Sequence, residues 1–418
     1  MMDTNCPSPS HPVPTIGWLT NILLTNGALP EGVAVVGVGE SDVGRMGKGN
    51  IVPYTISYCL KETQEPVDVS KLINTFIVKY AVSGGASDDN FDKGGLMKID
   101  TKEFRFITIA REAWVLKELP EGTFSTPKIY YSIANFNDPE GMFIAMEDLR
   151  PFTTRMDQFH GAQNGSNINK NPLKRNTSLS SKEAWKRAFE EVAGTHAKYW
   201  NLKSISSDSK TRLKGAGWMN GNGRGEWEAS LGACRLAWEK VNKSKISQRV
   251  NTFITQCLEN ATFDRAVKQM NSRPKTLLHG DFHAKNLFWD EDEKRVIMTD
   301  FSEVGIGNPM SDLVQYIISD VQTDVRRKGE DRILKAYWNR LISSGVDPNE
   351  YSYSQCWESY KQEGLDRWVW FFPMLAYFGY NADFFHDQID GFLQDHKPNV
   401  DDFVLLYGVE LVEHSRSK

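Results

Sequence analysis

The chain has 418 residues, 40% hydrophobic and 25% charged, with a formal net charge of −5. That length suits two cores or one large bilobed core, and so mild an acidity gives no whole-chain field to hold nucleic acid or an anionic membrane surface. Five scattered cysteines, Cys6, Cys59, Cys234, Cys257 and Cys356, never spaced C-x-x-C, argue against a disulfide framework or a zinc site and fit a reducing cytoplasmic setting.

Residues 1–14 are polar and proline-containing, read as a flexible lead-in, and lack the basic-then-apolar pattern of an export signal. TIGWLTNILLTNG then sets Trp18, Leu19, Ile22 and Leu23 on one helical face before Gly27. VAVVGVG, IVPYTISYCL and NTFIVKYAV are β-branched or alternating runs separated by glycine-rich and polar turns, and they read as strands. FRFITIAREAWVLKELP carries Phe106, Ile109, Ala113, Leu116 and Leu119 at helical spacing, after which KIYYSIAN and GMFIAMEDL return to strand patterning. The fold class is therefore α+β: residues 15–150 predict a five-stranded antiparallel sheet with one packed helix.

From residue 151 to 418 the pattern is mainly helical. Residues 155–182, rich in Asn, Gly and Ser, predict an exposed loop. SSKEAWKRAFEEVAGTHAKYW is a serine-capped helix with Trp185, Phe189, Val192, His196 and Trp200 on one stripe, where His196 is expected as a core residue. GAGWMNGNGRGEWE lacks the strand-to-helix setting of a phosphate loop and reads as a loop. The longest apolar run, WVWFFPMLAYF, is too short and too aromatic to span a bilayer, so no membrane insertion is expected.

The chemistry concentrates in HGDFHAKNLF, residues 279–288. A tight turn between two strand-like runs presents Asp281, with Asn286 five positions on, and RVIMTDF delivers Asp300 at the end of a further apolar strand. A carboxylate to accept the proton of an attacking hydroxyl and hard oxygen ligands for Mg²⁺ are what phosphoryl transfer from a nucleoside triphosphate requires. The spacing alone recurs by chance in polar hairpins; the apolar strand ending in Asp-Phe is what raises it above that background. Lys79 in FIVKY and Glu112 in the following helix stand in the order expected of a phosphate-binding cation and its carboxylate partner. Singly, each reads as a strand-edge lysine and a solvent-facing glutamate. Gly44, Gly47 and Gly49 lie between two strands, where small residues let backbone N–H groups approach phosphate, although a plain hairpin turn needs glycine too.

HGDFHAKN, TDFSEVGIGNPMSDLVQYI, FIAMEDL and EVAGTHAKYW together resemble the aminoglycoside phosphotransferase and choline kinase superfamily, most of all its ecdysteroid-kinase-like branch, over roughly residues 30–340. The resemblance implies a protein-kinase-like bilobed fold, an ATP site, Mg²⁺ and phosphorylation of a hydroxyl on a small molecule. It makes Asp281 the catalytic base, Asn286 and Asp300 the metal ligands, and Lys79 and Glu112 the phosphate-anchoring pair. Met146, Glu147 and Leu149 become the hinge beside adenine, and Asp312 a structural aspartate behind the catalytic loop. Ser302 stands where many relatives carry Gln, and the loop from Gly44 to Gly49 is unusually glycine-rich. The protein-kinase H-R-D, D-F-G and A-P-E set is missing, which disfavours a protein substrate.

The same resemblance puts the C-terminal helices on the acceptor side. The aromatics from Trp357 to Phe385 then favour a largely apolar hydroxylated compound, with Asp366, Asp383 and Asp387 as candidate counter-charges should the acceptor be a choline-like or ethanolamine-like amine or an aminoglycoside. Most of these rings would pack the core in any case. A kinase-fold binding module without catalysis is a further alternative, although none of the key residues is lost.

Overall fold

The structure, a computed structural model, describes residues 13–42, 51–66, 72–80, 101–134, 143–160, 179–206, 210 and 212–402, with side chains in the helix beginning at 101 described from 110 onward. These residues divide into two compact units. The first holds those up to 122 and from 126 to 151, and the second holds 123–125 and everything from 152 on.

In the first unit, α1 (Ile16–Thr25) starts where Thr15 Oγ1 accepts the Trp18 N–H at 3.2 Å, and it buries Trp18, Leu19, Ile22 and Leu23 as the spacing predicts. Five strands follow: β1 (Val33–Glu40), β2 (Ile51–Leu60), β3 (Thr75–Tyr80), β4 (Ile129–Ile133) and β5 (Phe143–Glu147), with α2 (Thr101–Glu118) between β3 and β4. The sheet order is β1-β2-β3-β5-β4, every neighbouring pair antiparallel. Strand alternation sorts the faces. Val52, Tyr54, Ile56 and Tyr58 of β2 and Phe76, Val78 and Tyr80 of β3 join the α1 stripe in one core, where Trp18 meets Phe143 edge to face at 5.6 Å. Ile77 and Lys79 therefore point to the opposite face, which α2 serves.

The second unit is mainly helical. It opens with β6 (Thr153–Arg155) and α3 (Asp157–His160), then α4 (Ser181–Lys198), α5 (Ala216–Met219), α6 (Arg224–Lys240), α7 (Gln248–Asn260) and α8 (Phe263–Ser272). Short strands β7 (Thr276–Leu278), β8 (Leu287–Asp290), β9 (Arg295–Met298) and β10 (Gly305–Gly307) form two small antiparallel sheets, β10-β7 and β6-β8-β9. The chain continues through α9 (Met310–Asp320), α10 (Thr323–Arg327), α11 (Glu330–Ser343), α12 (Tyr353–Glu363), α13 (Asp366–Phe378) and α14 (Ala382–His396). All eleven residues of α9 are buried. An antiparallel sheet with a packed helix followed by a mainly helical unit is the predicted α+β class.

Two expectations need correction. The supposed loop 155–182 contains the end of β6, α3 and the start of α4, and its residues 161–178 lie outside the described ones. The glycine-rich stretch from Gly215 is not a loop: Gly215, Gly221 and Gly223 take positive φ and punctuate α5 and the start of α6, whose Trp218 and Trp227 are buried. Glycine here marks helix ends. His196 is a core residue as expected, with Nδ1 3.0 Å from the Tyr337 hydroxyl and Nε2 3.3 Å from Asp312 Oδ2. The four described cysteines, Cys59, Cys234, Cys257 and Cys356, are buried free thiols. Among the described residues no helix is long and apolar enough to cross a membrane.

Candidate functional site

In the first unit, Lys79 lies on the central strand β3, opposite Ile51 on β2 and Ile144 on β5, and is 8% exposed. Its ammonium ion-pairs with the Glu112 carboxylate of α2, itself buried. A strand-edge lysine and a solvent-facing glutamate are thereby excluded. Met146 and Glu147 close β5, the strand paired with β3, and Leu149 is buried just beyond them. Glu147 brackets Lys128: its N–H donates to the Lys128 carbonyl at 2.8 Å and its Oε2 accepts the Lys128 N–H at 3.1 Å. Gly44, Gly47 and Gly49 lie outside the described residues.

In the second unit the catalytic-loop candidate hangs between β7 and β8. Its first turn is held by Asp312 of α9, whose two oxygens accept the N–H groups of His279 (2.8 Å) and Gly280 (3.0 Å). Asp312 is thus the buried structural aspartate that the resemblance implies. Gly280 has φ +80°, and any Cβ on it would run into the backbone of Glu303, so no other residue fits. One helical turn on, Gln315 accepts the Phe282 N–H at 3.1 Å, and at the end of α9 Asp320 accepts the Ala284 N–H at 2.8 Å. Four of the loop's backbone donors are thus satisfied by side chains of one buried helix.

The Asp281 carboxylate, its side chain 25% exposed, is ringed by donors. Oδ1 accepts from Gln315 Nε2 (2.7 Å) and from the Arg367 guanidinium of α13 (3.2 Å). Oδ2 faces Asn286 Nδ2 (3.2 Å) and His283 Nε2 (3.3 Å). Burial by itself would push this carboxyl upward, but His283, Arg367 and Gln315 outweigh it and hold the group far below its ordinary range. The converse holds for His283: burial disfavours its cation, yet Asp281 and Asp320 raise its pKa. His279 is different, because burial dominates and keeps it neutral. Its Nδ1 accepts the Asp281 N–H (3.3 Å) while Nε2 donates to the Thr299 carbonyl (3.1 Å), which sets the tautomer.

Asn286 donates through Nδ2 to the Asp281 carbonyl (3.0 Å) as well as the carboxylate, so its amide oxygen points elsewhere. The Asn286 carbonyl accepts both the N–H (2.9 Å) and the hydroxyl (3.0 Å) of Thr299, which brings the next residue, Asp300, to the same loop. Asp300 is half-buried in the left-handed region (φ 64°, ψ 73°), a conformation that costs a non-glycine residue roughly 1–2 kcal/mol. Phe301 anchors it from behind, packed on Phe124 (4.9 Å) and His279 (5.2 Å).

Gln315, Arg367 and Asp320 are site residues that the sequence reading missed. Gln315 follows Asp312 by three positions, which places both on one helix face, and that signal was available. Arg367 has none, being 86 residues away along the chain. Of the candidate counter-charges, Asp366 is fully buried against Arg273 (2.7 Å) and does not face a ligand. Asp383 is exposed near Lys245 (3.5 Å), and Asp387 is exposed beside His386 (2.9 Å).

Residues 172–345 match the model of the ecdysteroid kinase-like family, the branch that these motifs resemble. The matched span holds the whole segment from His279 to Asp320 and none of the first-unit pair. No curated protein matches the sequence. Among solved structures, the chain is similar to aminoglycoside 2′-phosphotransferase-IIIa in its GDP complex, at 11% identity and TM-score 0.43, covering 91% of this chain and 98% of that one. It is similar to the choline kinase LicA from Streptococcus pneumoniae at 12% identity and TM-score 0.40, over 86% and 94% of the two chains. For a Plasmodium vivax ethanolamine kinase the figures are 9%, 0.41, 91% and 87%.

Proposed function

We propose that the chain is a small-molecule kinase that moves the γ-phosphoryl group of ATP to a hydroxyl of a small, largely apolar compound in the cytoplasm. The observation that carries this reading is the Asn286 side chain: its nitrogen is committed to Asp281, which leaves its oxygen as a hard ligand, while its backbone carbonyl holds Thr299, the neighbour of Asp300. Two protein oxygens suit a cation that completes its shell with phosphate oxygens and water, as Mg²⁺ does in phosphoryl transfer. Among the described residues no cluster of three His, Cys, Asp or Glu offers a fuller cage. Bound by Asn286 and Asp300, Mg²⁺ would supply charge neutralisation at the phosphates.

Asp281 is the base. As the acceptor oxygen bonds to the γ-phosphorus, its proton passes to the Asp281 carboxylate, and the bond from that phosphorus to the bridging oxygen of ADP breaks. A carboxyl held far below its ordinary range is ionised throughout the physiological pH range, so the base is not lost to protonation. Lys79, steadied by Glu112, is the phosphate anchor, with Gly47 and Gly49 at the phosphates and Met146, Glu147 and Leu149 at adenine. Phe371, Tyr377, Phe378 and Phe384 on α13 and α14 remain half-buried, and these rings favour the apolar acceptor class.

The test is ATP consumption with Mg²⁺ against hydroxylated sterols, terpenoids, choline, ethanolamine and an aminoglycoside, with Asp281→Asn as control. Turnover with an apolar alcohol, lowered ~10²–10⁴-fold in the control, is the expected result. Turnover with only the amines or the aminoglycoside would overturn the acceptor class and leave the kinase reading standing. ATP binding without transfer to any acceptor would make the chain a binding module.

A further inference from the structure

We infer that Arg367 is a positioning residue for the reaction: with Gln315 it clamps one oxygen of the Asp281 carboxylate, so that the other oxygen receives the acceptor's proton. The assignment rests on the reading of Asp281 as the base. Arg367 sits in the first turn of α13 and is 5% exposed. Its guanidinium contacts this loop and α9: Nη1 donates to the Gly280 carbonyl and to Gln315 Oε1 (2.8 Å), and Nη2 donates to Asp281 Oδ1 (3.2 Å).

The Gln315 amide completes the clamp. Its Oε1 accepts from both Arg367 and the Phe282 N–H, so its Nε2 must turn toward Asp281, where it meets Oδ1 at 2.7 Å. Oδ1 therefore carries two donors, both from buried side chains, one on α9 and one on α13. Oδ2 has no contact as short as the Gln315 bond, only 3.2 Å from Asn286 and 3.3 Å from His283, and it is the oxygen that can exchange a partner for the acceptor hydroxyl. The Phe371 ring lies one helical turn along α13, 5.0 Å from the guanidinium carbon, and covers the cation on that side. The guanidinium fork suits this task because it places two parallel N–H vectors in one plane, on Gly280 and Asp281, which a lysine cannot do.

An arginine that only cross-links α13 to the loop would change melting temperature without a selective effect on the chemical step. The two roles separate in Arg367→Ala and Arg367→Lys, assayed by phosphate release from Mg²⁺-ATP with water as acceptor, alongside Asp281→Asn. Expected for Arg367→Ala is a kcat about 10²-fold below wild type with the KM for ATP within about threefold, because nothing that holds nucleotide has been removed. Guanidinium chloride at tens of millimolar should raise its kcat about tenfold or more and saturate, urea at the same concentration should not, and Asp281→Asn should respond to neither. Arg367→Lys should lose kcat by about tenfold at unchanged KM, and it carries the test if the alanine variant does not fold. A folded variant with wild-type kcat, or rescue by urea as large as by guanidinium, overturns the assignment. Failure of both variants to fold overturns it too, since Arg367 would then be a cross-link of the fold. Wild-type turnover abolished by Asp281→Asn but unmoved in the Arg367 variants would sink this assignment alone. No turnover in the wild-type chain would instead remove the phosphotransferase reading and this assignment with it.

Discussion

Gly280 is packed so tightly against Glu303 that the backbone of one occupies the space a side chain on the other would need. The contact joins the turn that presents Asp281 to the turn that follows Asp300, so the two halves of the candidate site share one steric constraint. Gly280→Ala should cost about 3 kcal/mol or more, from a left-handed φ and a backbone overlap together, and should lower turnover well beyond the loss in folded fraction. Urea denaturation alongside turnover checks it; a variant as stable as wild type would mean that the two turns can part without cost.

Asp300→Ala removes the only formally charged member of the proposed Mg²⁺ pair. Turnover should fall by at least about 10²-fold, and the Mg²⁺ concentration for half-maximal rate should rise. A Mg²⁺ titration of ATP turnover decides it, and unchanged half-saturation at an unchanged rate would leave Asp300 a purely structural residue.

The buried Lys79–Glu112 pair predicts a pattern across three variants. Lys79→Met and Glu112→Gln each strand a buried partner, so each should lose about 3–5 kcal/mol, with the KM for ATP raised more by the lysine change. The double variant should recover part of that stability without recovering turnover, because no charge is then left unpaired. Melting curves and ATP kinetics on all three variants read this out; additive destabilisation in the double variant would show that the two residues are not energetically coupled.

Asp320 gives a pH dependence. Burial pushes its carboxyl from 3.8 up to about 6, against the pull of His283 and the Ala284 N–H. A carboxyl raised in the folded state contributes stability that is complete below pH 4 and is lost as pH climbs through 6. Two units correspond to at most about 3 kcal/mol. Asp320→Asn should therefore match wild type near pH 4 and become the more stable of the two by pH 7.5, measured as urea midpoints across that range. A gap that does not change with pH would show that Asp320 keeps an ordinary pKa in the fold.

The first unit was legible because its signals are local. Strand alternation from Val33 to Glu147 and the Trp18 stripe of α1 each follow from the spacing of neighbouring residues, and five strands and two helices emerge where the pattern puts them. The segment from His279 to Asp300 was legible for a related reason: Asp281 and Asn286 are packed into one short turn between β7 and β8, and Asp300 closes the apolar strand that follows. Glycine misled the reading at 215–223, where a run of helix-ending positions resembles a linker until the buried Trp218 and Trp227 show what it brackets. Arg367 could not be read at all. Its neighbours Asp366 and Trp368 give no hint of a partner 86 positions earlier, because that contact exists only once α13 and α9 have packed.

The way α9 collects its neighbour's amides bears on how the loop moves. His279, Gly280, Phe282 and Ala284 each donate a backbone hydrogen to a side chain of that helix, at 2.8 to 3.1 Å, and every residue of the helix is inside the protein. Loop amides ordinarily trade their hydrogens for deuterium quickly. These four should instead exchange only in openings that also release α9, at rates close to those of the core, so that a segment without regular secondary structure opens and closes with the slowest part of the unit.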